Sequence, residues 1–168
     1  AQTLVAARQS SGALFLQSTT DLGHHVRLSL GGRYDVLNTR SDLAGQGRRS
    51  DTHGVLSPKL GALYHIPGFG ALYANLSRGF RSSDGVITDP SLPLITEWAC
   101  EAGLKLDLGP VRAGAAVFRM DVSNEQSFNP ITLATTSGGR SRRDGIDLEL
   151  EASATPAVRL RTDWTLVD

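Results

Sequence analysis

The sequence predicts an all-β fold, an antiparallel up-and-down meander of about eight strands of the kind that forms a transmembrane β-barrel. Three observations lead to this prediction: apolar and polar residues alternate, tight turns recur regularly, and the other connections are long and polar. Successive side chains point to opposite faces of a strand, so alternation gives one apolar and one polar face. Such a sheet has one face in water and the other in lipid or a core.

The clearest early alternation lies in the second predicted strand. Val26, Leu28 and Leu30 alternate there with Arg27 and Ser29. Residues three and four apart share a face of a helix, so a helix would mix apolar and charged side chains on every face. We therefore interpret this segment as a strand.

Turn signals rich in Gly, Pro and Asp divide the chain into eight such strands. The predicted strands are about 11–20, 24–37, 54–66, 70–81, 96–108, 111–123, 141–154 and 157–167. The predicted tight turns are 21–24, 67–69, 108–110 and 155–157, and the predicted long polar connections are 38–53, 82–95 and 124–142. Short and long connections alternate, which is typical of outer-membrane barrels with tight periplasmic turns and long extracellular loops.

The polar face is strongly charged near the end of the chain. Asp147 and Glu149 lie on one strand, and Arg159 and Arg161 on its hairpin partner. Opposite charges on paired strands stabilise by about 0.2–1 kcal/mol each, but a dry core would penalise them heavily. We expect this face to line a wet lumen, although the solvated face of a soluble sheet fits equally well. The expected outer residues are Leu28, Leu30, Leu148, Leu150, Leu160 and Trp164, and the expected inner residues are Arg27, Arg33, Asp147, Glu149, Arg159 and Arg161.

Composition and motifs exclude several classes of function. The formal net charge is zero, so a nucleic-acid partner is not expected. No apolar run approaches the roughly 20 residues of a membrane-spanning helix. Cys100 stands alone and the four histidines show no ligand spacing, so we expect no disulfide and no metal site. No nucleophile elbow or phosphate-binding glycine loop is present, and we expect neither enzymatic activity nor a cofactor.

Five segments, in order along the chain, resemble strands of TonB-dependent outer-membrane receptors of the siderophore type. They are 56–64 (LSPKLGALY), 72–81 (LYANLSRGFR), 93–105 (PLITEWACEAGLK), 117–124 (VFRMDVSN) and 142–150 (RRDGIDLEL). The third departs from the family pattern, because Glu97 comes late and Ala99-Cys100 replaces a bulkier pair.

The resemblance implies a receptor in the outer membrane of a Gram-negative bacterium that binds and imports an iron-siderophore or a similar chelate. The implied partners are outer-membrane lipid and lipopolysaccharide, the ferric chelate, and TonB through a plug region. The resemblance also implies that residues 1–168 are a segment of a larger transmembrane β-barrel, a partial barrel without the plug domain and without the C-terminal strands. The alternatives are a passive outer-membrane barrel, such as a porin or small structural barrel, and a soluble β-barrel carrier.

Arginines concentrate in or beside the predicted long connections. The candidate ligand-binding residues at the extracellular rim are Arg48, Arg49, Arg81, Arg140, Arg142 and Arg143. A guanidinium binds carboxylate or phosphate oxygens through two parallel hydrogen bonds, so this rim could hold an anionic chelate or lipopolysaccharide phosphates. The plainer interpretation is that these arginines keep exposed loops soluble. Trp98 and Trp164 are expected to be interfacial aromatics, with core packing as the alternative.

Overall fold

Eight antiparallel strands form one sheet and pair strictly in chain order, as the sequence predicts. The structure is a computed structural model, and it describes residues 5–43, 47–82, 91–129, 131, 134–155 and 157–168. The strands are β1 (Val5–Leu22), β2 (Val26–Leu43), β3 (Gly47–Ile66), β4 (Gly70–Arg81), β5 (Ile95–Asp107), β6 (Val111–Asn129), β7 (Ala134–Thr155) and β8 (Val158–Val167). The described residues contain no helix that could cross a membrane.

Three of the predicted tight turns are confirmed, at 23–25, 67–69 and 108–110. At the fourth, β7 ends at Thr155 and β8 begins at Val158, and residue 156 lies outside the described residues. Two of the three predicted long connections are wrong. Residues 38–43 continue β2 and 47–53 begin β3, while 124–129 continue β6 and 134–140 belong to β7. The third predicted long connection, 82–95, falls between the end of β4 at Arg81 and the start of β5 at Ile95, and its residues 83–90 lie outside the described part of the chain. The backbone ladder continues beyond the apolar part of each strand, where both faces are polar and alternation no longer reports the strand.

The two faces of the sheet differ in crowding and in chemistry. Large apolar side chains such as Leu30, Leu160 and Trp164 are more than half exposed on one face. On the opposite face Leu37 and Val55 are buried. Side chains crowd together on the concave face of a curved sheet, so we call this second face the inner face and the first the outer face.

The predicted assignment of residues to these faces is confirmed. The register pairs Leu148 with Trp164 on the outer face, and Glu149 with Asp163 on the inner face. The outer face carries a belt of apolar side chains, hereafter the apolar belt. It includes Leu28, Leu30, Leu60, Leu72, Leu76, Leu104, Val117, Ile146, Leu148, Leu150, Leu160 and Trp164.

The sheet is open. β1 pairs only with β2 and β8 only with β7, and no contacts join β1 to β8 among the described residues. The structure therefore has two free edges, which matches the expectation of a barrel segment rather than a closed ring of eight.

Candidate ligand-facing and lipid-facing surfaces

Strand alternation divides the six candidate arginines equally between the two faces. Arg49 pairs with the buried Ser41 and lies on the inner face, so its neighbour Arg48 lies on the outer face. Arg143 pairs with Met120 on the inner face, and Arg142 pairs with Asp121 on the outer face.

The remaining two candidates follow the same rule. Arg81 pairs with the buried Ile95 on the inner face. Arg140 pairs with Ser123 on the outer face. The inner arginines Arg49, Arg81 and Arg143 can face a ligand inside a barrel, whereas the outer three face the membrane or its surface.

The structure does not gather the inner arginines into one cluster. Following the register across the sheet, Arg143 lies level with Ser77 and Lys59. Arg81 is four positions beyond Ser77 and Arg49 is ten positions before Lys59, both toward the long-connection side. At about 3.4 Å per residue, the three arginines span roughly 34 Å along the strands. They form a ladder of positive charge rising along the inner wall.

An inner groove of about 820 Å³ lies below this ladder and crosses the first five strands. Tyr73 donates a hydrogen bond of 2.5 Å to the carboxylate of Glu101 in its floor. The ammonium of Lys105 lies 5.4 Å from the centre of the Tyr73 ring. Lys59 also lines the groove and makes no ion pair with another described residue. The groove therefore has a mixed polar and apolar lining, with Lys105 beside the Tyr73 ring and Lys59 without an ion pair among the described residues.

Strand parity places Tyr73 and Glu101 on the inner face, yet the sequence alone did not single them out. Each belongs to an ordinary alternating strand, and no motif marks their pairing. The register between β4 and β5 supplies the signal, because it places Tyr73 and Glu101 within one diagonal step of each other. Cross-strand neighbours at that spacing are within reach of an aromatic side chain.

Ion pairs cover the inner face on the short-turn side. The carboxylate of Glu149 lies 3.1 Å from the guanidinium of Arg161, and that of Glu151 lies 3.4 Å from Arg159. Thr165 donates to Asp147 at 2.6 Å. The expected pairing of charges across the last hairpin is confirmed. Among the inner arginines above them, Arg143 also forms an ion pair, with Glu125 at 3.8 Å.

A second group of charges lies on the outer face, directly beyond the apolar belt on the long-connection side. Arg119 binds Asp144 through two hydrogen bonds of 2.6 and 3.2 Å. Arg142 donates to Asp121 at 2.7 Å. The guanidinium of Arg78 lies 6.0 Å from the ring centre of Trp98, which is exposed on the same face. This arrangement agrees with Trp98 as an interfacial aromatic.

Metal ligation has no support in the part of the chain that the structure describes. No group of three or more His, Cys, Asp or Glu side chains there is arranged to hold an ion. Cys100 is a free, exposed thiol on the outer face.

The chain matches the family model described as TonB dependent receptor-like, beta-barrel, over residues 3–167. This chain belongs to the TonB-dependent receptor β-barrel family. The family consists of outer-membrane receptors and transporters, not enzymes, so the expected lack of enzymatic activity agrees with it. The resemblance inferred from the five segments is confirmed.

Curated proteins similar to this chain include the metal-pseudopaline receptor CntO of Pseudomonas aeruginosa. Identity to the protein of strain UCBPP-PA14 is 28% over 169 residues, covering 93% of this chain and 24% of the relative. The protein of strain PAO1 is 27% identical over 167 residues, with the same coverage. The chain thus spans about a quarter of the length of the curated relatives it matches.

Solved receptors share the fold. The alcaligin outer-membrane receptor FauA of Bordetella pertussis superimposes with a TM-score of 0.75 at 21% identity, covering 97% of this chain and 30% of that receptor. The ferric preacinetobactin receptor BauA of Acinetobacter baumannii gives 0.76 at 22% identity, covering 98% and 26%. The open eight-stranded sheet therefore has the shape of a portion of a receptor barrel.

Proposed function

We propose that this chain forms part of the wall of an outer-membrane receptor that binds an anionic iron chelate, such as a ferric siderophore, and imports it with energy coupled through TonB. The family match supports a receptor role. The printed names of similar proteins, which include a metal-pseudopaline receptor and a ferric preacinetobactin receptor, support a metal chelate as the ligand class.

The ladder of inner arginines is the structural observation that supports the ligand-binding part of this proposal. Arg143, Arg81 and Arg49 rise along the inner face toward the side opposite the tight turns, and short turns are periplasmic in outer-membrane barrels. Ferric chelates of the hydroxamate, catecholate and carboxylate classes present oxygen atoms and often negative charge. Guanidinium groups recognise such oxygens by charge-assisted hydrogen bonds. Inner arginines at successive depths would guide an anion from the extracellular opening toward the inner groove.

A matched pair of substitutions tests this role, because Arg48 and Arg49 are neighbours on opposite faces. Neither makes an ion pair with another described residue, so each substitution removes the same charge and breaks no described ion pair. The complete receptor carrying Arg49→Gln or Arg143→Gln should bind a ferric siderophore about tenfold more weakly, as expected for the loss of one charge-assisted hydrogen bond. Arg48→Gln should leave the dissociation constant unchanged.

Binding is measured by quenching of the receptor's tryptophan fluorescence, and import by uptake of radioactive iron in cells that lack the native gene. Equal effects of Arg48→Gln and Arg49→Gln would contradict ligand binding by the inner ladder. Iron uptake that continues after the proton gradient is collapsed would indicate a passive barrel. Recovery of the protein from the soluble fraction would indicate a carrier. Preferential binding of zinc or nickel chelates over ferric chelates would contradict iron as the imported metal.

A further inference from the structure

The inner wall of the sheet is uneven, and the inner groove lies where the inward side chains are small. The inward positions of β2 to β4 that line the groove include Ser29, Gly31, Ser57, Gly61 and Ser77. The inward positions of β7 and β8 instead carry charged side chains that pair with each other, as in Glu149 with Arg161 and Glu151 with Arg159. A solute that moves along the inner face therefore has more room beside β2 to β4 than beside β7 and β8.

The charged side chains of the inner groove balance one another except for one cation. Two arginines of the groove are held by aspartates at 2.7 and 2.8 Å, in the pairs Arg27–Asp21 and Arg33–Asp35. Lys105 and Glu101 carry opposite charges and both contact Tyr73. Lys59 has no ion pair with another described residue. The groove therefore has one uncompensated positive charge, at Lys59.

Lys59 has hydroxyl neighbours that suit the binding of an anionic oxygen. Ser77 is directly opposite Lys59 in the ladder between β3 and β4, and Ser57 lies two residues before Lys59 on the same face of β3. The Ser57 hydroxyl is buried and has no hydrogen-bond partner among the described residues. Most buried polar groups in native proteins have a partner, so this one needs an explanation. An oxygen atom of a ligand bound by Lys59 would provide the partner.

The position of Lys59 connects the inner groove to the arginine ladder. Following the register across the sheet, Lys59 is level with Arg143, the lowest arginine of the ladder. From there the groove extends to Arg27 near the short-turn end of β2, and short turns are periplasmic in outer-membrane barrels. We propose that the inner groove is a second, transient binding site for the chelate on its way to the periplasm. Lys59 binds one negatively charged oxygen of the chelate, and Gly31 and Gly61 leave room for the rest of it.

The chemistry of Lys59 fits a site that the chelate leaves again. A site on a conduction path must bind strongly enough to receive a solute and weakly enough to release it. An ammonium group is compact and strongly hydrated, and it lacks the planar fork with which a guanidinium binds two oxygens at once. A single lysine therefore suits a chelate with one uncompensated negative charge. Its loss should change the rate of import more than the affinity at equilibrium.

This proposal rests on the proposed function, and two measurements on the complete receptor separate the two. Quenching of tryptophan fluorescence gives the dissociation constant of a ferric siderophore, and uptake of radioactive iron by cells at saturating chelate gives the maximal import rate. Lys59→Gln should lower the maximal rate about tenfold, as expected for the loss of one charge-assisted hydrogen bond, and should leave the dissociation constant unchanged. Lys59→Arg, which keeps the charge, should restore most of the rate.

A matched pair of glycines tests the route itself. Gly31 and Gly114 both lie on the inner face, and a Cβ there would meet its nearest neighbour at 3.4 and 3.6 Å, which is ordinary contact. Gly31 lines the inner groove, whereas Gly114 lies outside it on β6. Gly31→Leu narrows the groove and should lower uptake at least as much as Lys59→Gln does, and Gly114→Leu should leave uptake unchanged. Heat-modifiable migration in gels confirms that each variant is folded.

Full uptake by Lys59→Gln or by Gly31→Leu would overturn the inner groove as a transit site, and so would equal losses in Gly31→Leu and Gly114→Leu. Weaker equilibrium binding by Lys59→Gln, in proportion to its slower uptake, would place Lys59 in the first binding site and would also overturn the proposal. Greater sensitivity of the Lys59→Gln cells to a large antibiotic that the outer membrane excludes would show that the groove holds the plug region instead of the chelate. Failure of the unsubstituted receptor to bind or import the ferric siderophore would contradict the proposed function itself.

Discussion

Individual residues hold the inner face together through aromatic rings that cover glycines. The ring of Tyr73 lies over Gly103, so closely that a Cβ at position 103 would meet it at 2.6 Å. Phe118 covers Gly145 in the same way two strands later. An aromatic ring shields the backbone that a glycine leaves bare, and this pairing fixes the register of neighbouring strands. Parity along the strands predicts which face each residue occupies, but the aromatic–glycine pairs depend on a register that the sequence does not show.

Substitution of Gly103 tests this pairing. Gly103→Ala should destabilise the complete receptor by about 1–3 kcal/mol, because the new methyl group displaces the Tyr73 ring and disturbs its hydrogen bond to Glu101. Unfolding in urea, followed by the loss of heat-modifiable migration in gels, measures the change. Gly79→Ala is the matched control, since it lies on the same face and a Cβ there meets nothing within 4 Å.

A double substitution separates the steric clash with the Tyr73 ring from the difference in intrinsic strand propensity between alanine and glycine. In a Tyr73→Ala background, Gly103→Ala should cost little, because the ring that it would strike is gone. Double-mutant cycles at contacting residues typically give interaction energies of about 0.5–3 kcal/mol. Additive costs of the two substitutions would show that the ring and the glycine do not act as a pair.

At the scale of whole strands, sequence alternation was reliable inside the apolar belt and failed outside it. The strands that cross the belt, such as β4 and β5, match their predicted bounds within a residue or two. The ends of β2 and β3 do not, since residues 47–53 alternate between two polar faces and look like a loop. Backbone hydrogen bonds to the neighbouring strand maintain the strand there, although its side chains do not alternate between apolar and polar.

The long hairpin of β6 and β7 shows a second limit of the sequence. Asn124 adopts a positive φ of 60° and marks a bulge at which the register shifts, and Gly138 lies opposite in another left-handed conformation. The Asn124 side chain donates to the carbonyl of Leu94 at 3.1 Å, and so fastens the hairpin to the segment before β5. Asparagine tolerates this backbone conformation better than most residues. An asparagine in a polar stretch predicts a loop, whereas Asn124 lies at a bulge within β6.

The outer and inner faces of one strand should respond differently to the same introduced charge. Leu148→Arg places a guanidinium on the apolar belt and should destabilise the complete receptor in bilayers by about 2–4 kcal/mol. Glu149→Arg points into the wet inner face and should cost less, although it replaces the partner of Arg161. Unfolding free energies in lipid vesicles compare the two. Equal destabilisation would argue that both faces are packed in a dry core.

On the scale of the whole molecule, the two faces of the single sheet differ in chemistry. The inner face combines ion pairs near the short turns with the arginine ladder above them. The outer face carries the apolar belt and, beyond it, the ion pairs Arg119–Asp144 and Arg142–Asp121. Adjacent arginines such as Arg142 and Arg143 therefore serve different surroundings. The sequence predicts that arginines collect near the extracellular side, but only the register shows which of them face the lumen.

The free edges of the sheet give a prediction for the 168-residue chain expressed alone. The unpaired edges of the sheet are β1, with 18 residues, and β8, with 10 residues, and each exposes backbone N–H and C=O groups. Exposed edges invite pairing with other chains, and in lipid each unpaired group costs several kcal/mol. Closure into a ring of eight would narrow the barrel, because diameter falls with strand number.

Such a narrow ring would force Arg27, Arg33, Lys59, Lys105 and Arg161 into a small interior with little water, at a large desolvation cost. We therefore expect the isolated chain to collect in inclusion bodies and, after refolding in detergent, to form edge-paired oligomers. Size-exclusion chromatography with light scattering measures the mass of the refolded species, and crosslinking between cysteines placed on β1 and β8 reports whether the two edges meet. Crosslinks between different chains agree with an open sheet. A monodisperse monomer with crosslinks within one chain would contradict it, and would mean that these strands close on themselves despite the charge they must enclose.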